Sequence, residues 1–250
     1  MSAARSEWFP RVRRRDTARV RLVCLGGAGT GSSEFAGWQA ALPGWVEVWA
    51  AQLPGRERRI RQAPARTMIE LADPLAEELR GVADGTPWAL FGHSFGALVA
   101  YEVGCRVRAC GLVVASAVVP HLQATRLPVA ADDDETLLDW ARNADGTDPD
   151  LLADPRFARW LAEDLRVTLR IRREYPTVPP RPLPIPVLAV GGAGDPDAAA
   201  ADLERWREYT TGEFTRRQIG HGHFFLRDER ESLLAVMVEQ LDRWTGGNLS

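Results

Sequence analysis

The sequence predicts an α/β fold: a mostly parallel sheet covered by helices on both faces, with one all-helical insertion. Three observations predict it. Short apolar runs alternate with longer amphipathic stretches. The runs are apolar at successive positions, as strands buried on both faces must be. Glycine-rich turns stand at their carboxyl ends, where open parallel sheets place function. The 250 residues, 45% of them hydrophobic, suffice for one such domain with a sizeable core.

In chain order, RVRLVCL (Arg19 to Leu25) reads as the first strand and ends at GGAGTG. WVEVWA (Trp45 to Ala50) is the second and ends at Gln52-Leu-Pro-Gly. A helix is expected over Thr67 to Val82, where Leu71, Leu75 and Leu79 recur every fourth residue. PWALFG supplies the next strand and Ala97 to Val107 the next helix. GLVVAS (Gly111 to Ser116), IPVLAVGG (Ile185 to Gly192) and EFTRRQI (Glu213 to Ile219) complete the strands, and a last helix spans Arg230 to Trp244.

Residues 121–180 break this rhythm. They hold no strand pattern but two helical ones, Asp134 to Asn143 and Arg156 to Tyr175. In the second, Trp160, Leu161, Leu165, Leu169 and Arg172 share helical spacing. The Asp148-Pro149 and Asp154-Pro155 pairs punctuate its start, and PTVPPRPLPIP closes it. A crossover this long is expected to be a lid. The predicted division is therefore a core of residues 1–120 and 181–250 with a helical lid at 121–180.

Composition excludes several classes. A net charge of -3 does not suit a bulk nucleic-acid binder, and the basic run Arg11 to Arg15 is expected to be a solvated arm. No window approaches the roughly 18 apolar residues of a membrane span, and the polar N-terminus carries no signal core. The cysteines, Cys24, Cys105 and Cys110, form no CxxC pair; a cytoplasmic chain with neither disulfides nor a metal centre is expected. All 31 basic residues are arginine, which rules out a Schiff-base lysine and a GKS/T phosphate loop. No cofactor is expected.

The stretch GHSFGALVAYE, from Gly92, carries the chemistry. G-x-S-x-G between a strand and a helix is a nucleophile elbow, in which a strained backbone lifts the hydroxyl of Ser94 above the sheet. A hydroxyl stays protonated at neutral pH, so an imidazole must take its proton and a carboxylate must orient that imidazole. Only four histidines are available. His93 is on the elbow and is expected to line the pocket; His121 opens the insertion. His221 and His223, in IGHGHFFL, lie after the last strand, where the base belongs, and His223 is the candidate. The acid should follow IPVLAVGG. Asp195 is favoured over Asp197, on the premise that Asp197 caps a helix starting near Ala198. Two backbone N–H groups should form the oxyanion hole, from Phe95 after the nucleophile and from Ala28 in LGGAGTG. Gly27, Gly29 and Gly31 are spaced by two throughout, which does not fit G-x-G-x-x-G.

These motifs, together with LPGRERR (Leu53 to Arg59), GDP (Gly194 to Pro196) and GHFFL (Gly222 to Leu226), make nearly the whole chain resemble the type II thioesterases of polyketide synthase and nonribosomal peptide synthetase pathways, which are α/β hydrolases. The resemblance implies Ser94, Asp195 and His223 as the triad, with acid and base 28 residues apart. It also implies hydrolysis of acyl groups from the phosphopantetheine arm of an acyl carrier protein, as an editing enzyme that clears aberrant chains. Where the family usually has Pro-His-Ala-Gly-Gly, this chain has Gly26-Gly27-Ala28-Gly29-Thr30; Ala28 and Gly29 still align. Arginines among Arg56 to Arg61 are candidates to meet an acidic carrier. A monomer is expected. A carboxylesterase, an acyltransferase and a non-catalytic acyl-binding protein are the alternatives on the same fold.

Overall fold

The computed structural model describes residues 6–129, 133–144 and 146–246. The expected core and insertion also take in residues 1–5, 130–132, 145 and 247–250, which lie outside the described residues. Six strands form one parallel sheet in the order β2-β1-β3-β4-β5-β6. They are β1 (Val20–Leu25), β2 (Val46–Ala50), β3 (Trp88–His93), β4 (Ala109–Ala115), β5 (Val187–Ala193) and β6 (Phe214–His221). The chain runs outward from β1 to β2, then crosses back to β3 and continues the other way. The carboxyl ends of β1 and β3 therefore flank the switch point, where such sheets open a crevice.

The apolar runs become strands because both faces are covered: every residue of β1, β2 and β3 is buried. On one face, α2 (Met68–Gly81) and α3 (Phe95–Gly104) pack Leu75, Leu98 and Tyr101 against Leu25 and Trp49. On the other, α1 (Trp38–Ala41) and α9 (Arg230–Trp244) pack Trp38, Leu233, Met237 and Leu241 against Leu22 and Phe91. The expected helix at Ala97 instead begins at Phe95, because the elbow turns straight into it. The fourth strand ends at Ala115, before Ser116, whose φ of 47° cannot continue a strand.

Between β4 and β5 the described chain is helical. It holds α4 (Asp134–Asn143), α5 (Pro149–Leu152) and α6 (Pro155–Arg173). The Asp-Pro pairs are helix starts. Asp148 accepts from the Asp150 N–H and Asp154 from the Arg156 N–H, each with proline at the first helical position. Leu137, Ala141, Leu161, Leu165 and Leu169 form a third apolar cluster between α4 and α6. Two short helices, α7 (Ala200–Glu204) and α8 (Phe225–Asp228), follow β5 and β6.

The expected solvated arm is exposed at Arg11, Arg13 and Arg14 but anchored at its end. Arg15 donates to the carbonyls of Gln39, Leu42, Pro43 and Val46, capping the end of α1 and the start of β2. Arg14 pairs with the buried Glu47 and lies over the Trp49 ring. A buried carboxylate needs cationic partners, and the nearest chain end supplies them.

Candidate active site

Ser94 follows β3 with φ 53° and ψ −120°, a conformation L-residues rarely adopt. Its N–H donates to the Ala115 carbonyl at 2.8 Å, which fastens the turn to β4. A methyl group at Gly96 would overlap the carbonyl oxygens of Leu25 and Gly26, and one at Gly92 would overlap that of Gly96. Only glycine allows α3 to begin so close to β1.

Asp195 and His223 come from the ends of the adjacent strands β5 and β6. The backbones approach so closely that a Cβ at Gly192 would meet the Gly222 carbonyl. The Nδ1 of His223 lies 3.0 and 3.1 Å from the two oxygens of Asp195. The residues are 6% and 5% exposed, so the pair is shielded from water. Burial pushes the Asp195 carboxyl up, but contact with His223 and the neighbouring N–H donors outweighs it and holds the group below the usual carboxylate range.

The premise used to choose Asp195 over Asp197 does not hold. Asp195 itself accepts from the N–H groups of Asp197 and Ala198, at 2.9 and 3.2 Å, while also facing His223. The next helix starts later, at Ala200, with Asp202 accepting from the Ala199 N–H. Among the described residues Asp197 caps no helix; it borders the cavity with Oδ2 4.0 Å from His223 Nδ1. Burial raises its pKa. Asp195, Asp197 and His223 together place ligand-type atoms within 4.8 Å of one another.

A cavity of about 30 Å³ brings these groups together. Ala28, Ser94, Phe95, Asp197 and His223 bound it from the sheet side. Trp140 of α4 and Leu165, Thr168, Leu169 and Arg172 of α6 bound it from the insertion. Ser94 and His223 thus share one wall. Among the described residues Oγ of Ser94 makes no hydrogen bond; in substrate-free enzymes this contact is often long and tightens on binding. Arg172 donates from Nε to Gln123 and from Nη2 to the Arg126 carbonyl. Burial lowers its pKa to about 10.

His93 does not line the cavity. It is fully buried beneath it, with Nε2 2.9 Å from the His223 carbonyl. Burial first, and the charge of His223 second, push its pKa down to about 3, so it stays neutral and donates from Nε2. Its Nδ1 faces Oε1 of the buried Glu34 at 4.0 Å, and burial raises the Glu34 pKa. Arg56 is also not available to a partner: it is 3% exposed and its guanidinium is fully engaged with Asp164 and the loop after β1.

A doubly covered parallel sheet, carrying a strained serine after its third strand and an acid-oriented histidine after its last, defines an α/β hydrolase. A family model described as "Thioesterase domain" matches residues 20–241. The gramicidin S biosynthesis protein GrsT of Aneurinibacillus migulanus is 31% identical over 242 residues, covering 94% of each chain. Thioesterase PikA5 of Streptomyces venezuelae is 35% identical over 234 residues, 89% of this chain and 81% of that one. The solved structure of RedJ, a thioesterase from the prodiginine pathway of Streptomyces coelicolor, matches with a TM-score of 0.82 and 39% identity, over 94% of this chain and 93% of that one. The chain belongs to the thioesterase family, and it is a hydrolase acting on thioesters. Among the described residues no helix is long and apolar enough to cross a membrane.

Proposed function

We propose that the protein hydrolyses acyl groups from the phosphopantetheine arm of an acyl carrier protein, as an editing enzyme of polyketide or nonribosomal peptide assembly. The observation that carries the chemistry is the buried Asp195–His223 contact beside a strained serine in one cavity. In this reading Ser94 attacks the thioester carbonyl and His223 takes its proton through Nε2. Asp195 holds the imidazole in the tautomer with hydrogen on Nδ1 and stabilises the imidazolium. The oxyanion is met by the N–H groups of Ala28 and Phe95, both of which border the cavity. The C–S bond breaks as His223 passes the proton to the leaving sulfur; neutral His223 then takes a proton from the water that attacks the acyl-enzyme and returns it to Ser94 as the acid is released.

The assignment of substrate rests on relatives named for biosynthetic pathways, gramicidin S for GrsT and prodiginine for RedJ. Residues 121–180 act as a lid in this reading, since α4 and α6 form the roof of the cavity. A monomer is the working unit in this reading. Free cysteines support a reducing, cytoplasmic setting.

The test is turnover of carrier-bound thioesters of increasing acyl length beside the matched oxygen esters. Preferred cleavage of the thioesters is expected, with Ser94→Ala folded but inactive. An active Ser94→Ala protein would remove the nucleophile assignment; preference for the oxygen esters would point to a carboxylesterase.

A further inference from the structure

LPGRE drew attention as a motif, yet none of its residues borders the cavity. Its arginine and glutamate instead hold the loop after β1. The Arg56 guanidinium donates from Nη1 to the carbonyls of Gly27 and Thr30, at 2.7 and 2.8 Å. Through Nε and Nη2 it grips both oxygens of Asp164 on α6, at 2.8 and 3.0 Å. Asp164 in turn accepts from the Gly29 N–H at 2.8 Å. Glu57, held at a φ of 43°, accepts from the Ser32 hydroxyl and the Ser33 N–H, at 2.6 and 2.8 Å. Arg56 and Asp164 are 3% and 8% exposed.

The placement of these bonds decides their meaning. The Gly27 carbonyl and the Ala28 N–H belong to one rigid peptide plane, and point in opposite directions from it. Holding that oxygen therefore aims that N–H. The Gly29 N–H belongs to the next plane, so Asp164 fixes the other side of Ala28. The Thr30 hydroxyl also donates to the Gly27 carbonyl, at 3.1 Å, but only the ion pair reaches both peptide planes around Ala28, and half of that pair is carried by the insertion.

We propose that the buried Arg56–Asp164 pair is a positioning device that aims the Ala28 N–H into the cavity and makes this aim depend on α6 being seated. This rests on the reading of Ala28 given above. If α6 lifts, Gly29 loses its acceptor and Arg56 its counter-ion in the same motion. The donor loop is then complete only when the roof is closed over a substrate. Neither side chain touches the reacting atoms.

The test uses the full chain with Arg56→Met and Asp164→Leu combined. Replacing a buried ion pair by apolar residues of similar size is often neutral or stabilising. A merely structural pair therefore predicts a folded protein with ordinary activity. Positioning predicts an unfolding midpoint near wild type but kcat on a carrier thioester lowered about 10²-fold, the scale of losing one oxyanion donor, with KM little changed. Wild-type kcat in the folded double variant would overturn the proposal. Should that variant not fold, Asp164→Asn decides. Its affinity for an alkyl boronic acid, which forms a tetrahedral adduct on Ser94, should fall by the same factor as kcat. A drop in kcat with unchanged boronate affinity would refute the proposal. Failure of the wild type to cleave any carrier thioester would instead strike the substrate reading, while boronate affinity would still report on the pair.

Discussion

At the residue scale, Ser94, Asp195 and His223 stand out as candidates because each lies within two residues of a glycine at a strand end, and the structure brings the last two into contact. The rank of the two aspartates was reached by a wrong route. Asp195 accepts from two backbone N–H groups and the imidazole together, so capping and orienting fall on the same carboxylate. Geometry still separates them, at 3.0 Å against 4.0 Å from Nδ1. Asp195→Asn is expected to lower kcat by about 10³–10⁴-fold through the wrong histidine tautomer. Asp197→Asn should cost far less; steady-state kinetics giving the opposite order would move the acid to Asp197. His93 was misread because its role depends on a carbonyl 130 residues away. Burial holds its ring neutral down to about pH 3, whereas the unfolded chain binds that proton below about pH 6.5. The sign follows: its burial subtracts stability progressively as pH falls from 6.5 towards 3, and not above. Thermal melts of His93→Asn should show a shallower acid decline than wild type over this window. Parallel curves would mean that the ring is not buried neutral.

The elbow and the long insertion helices were readable as elements for local reasons. A strand, a G-x-S-x-G turn and a helix adjoin without a gap, and at Asp148-Pro149 and Asp154-Pro155 a capping aspartate precedes a proline at the first helical position. The short helix α5 was missed, since one turn has no periodicity to detect. The supports of the loop after β1 were not legible, because Arg56 and Asp164 are 108 residues apart. The arginines were weighed as surface charge, and nothing in LPGRE alone announces a buried partner on a distant helix. At this scale the tightest constraint is the meeting of α3 with β1. Gly96→Ala would drive a methyl into two backbone carbonyls that have no rotamer to yield. It should destabilise the protein by about 1–3 kcal/mol or more, as overpacking does, and displace Ser94 as well. Chemical denaturation showing wild-type stability would contradict this packing.

At the scale of the whole molecule, the fold class was legible because parallel strands buried on both faces leave continuous apolar runs, and helices between them leave none. The depth of the cavity was not, because it depends on how α4 and α6 settle over the sheet. Its volume is about 30 Å³ with α4 and α6 seated, so the roof is expected to move as substrate enters and product leaves. The sheet itself offers a way to watch such movements. Cys24 lies in β1, fully enclosed, and burial raises its thiol pKa well above the ordinary value; Cys105 and Cys110 are partly open to solvent. A disulfide reagent should modify two sulfurs in the native protein and leave the third locked. That third sulfur sits one residue before the end of the strand that feeds the donor loop. Its labelling rate would time the opening of the molecule's innermost layer with a clock that needs no added probe.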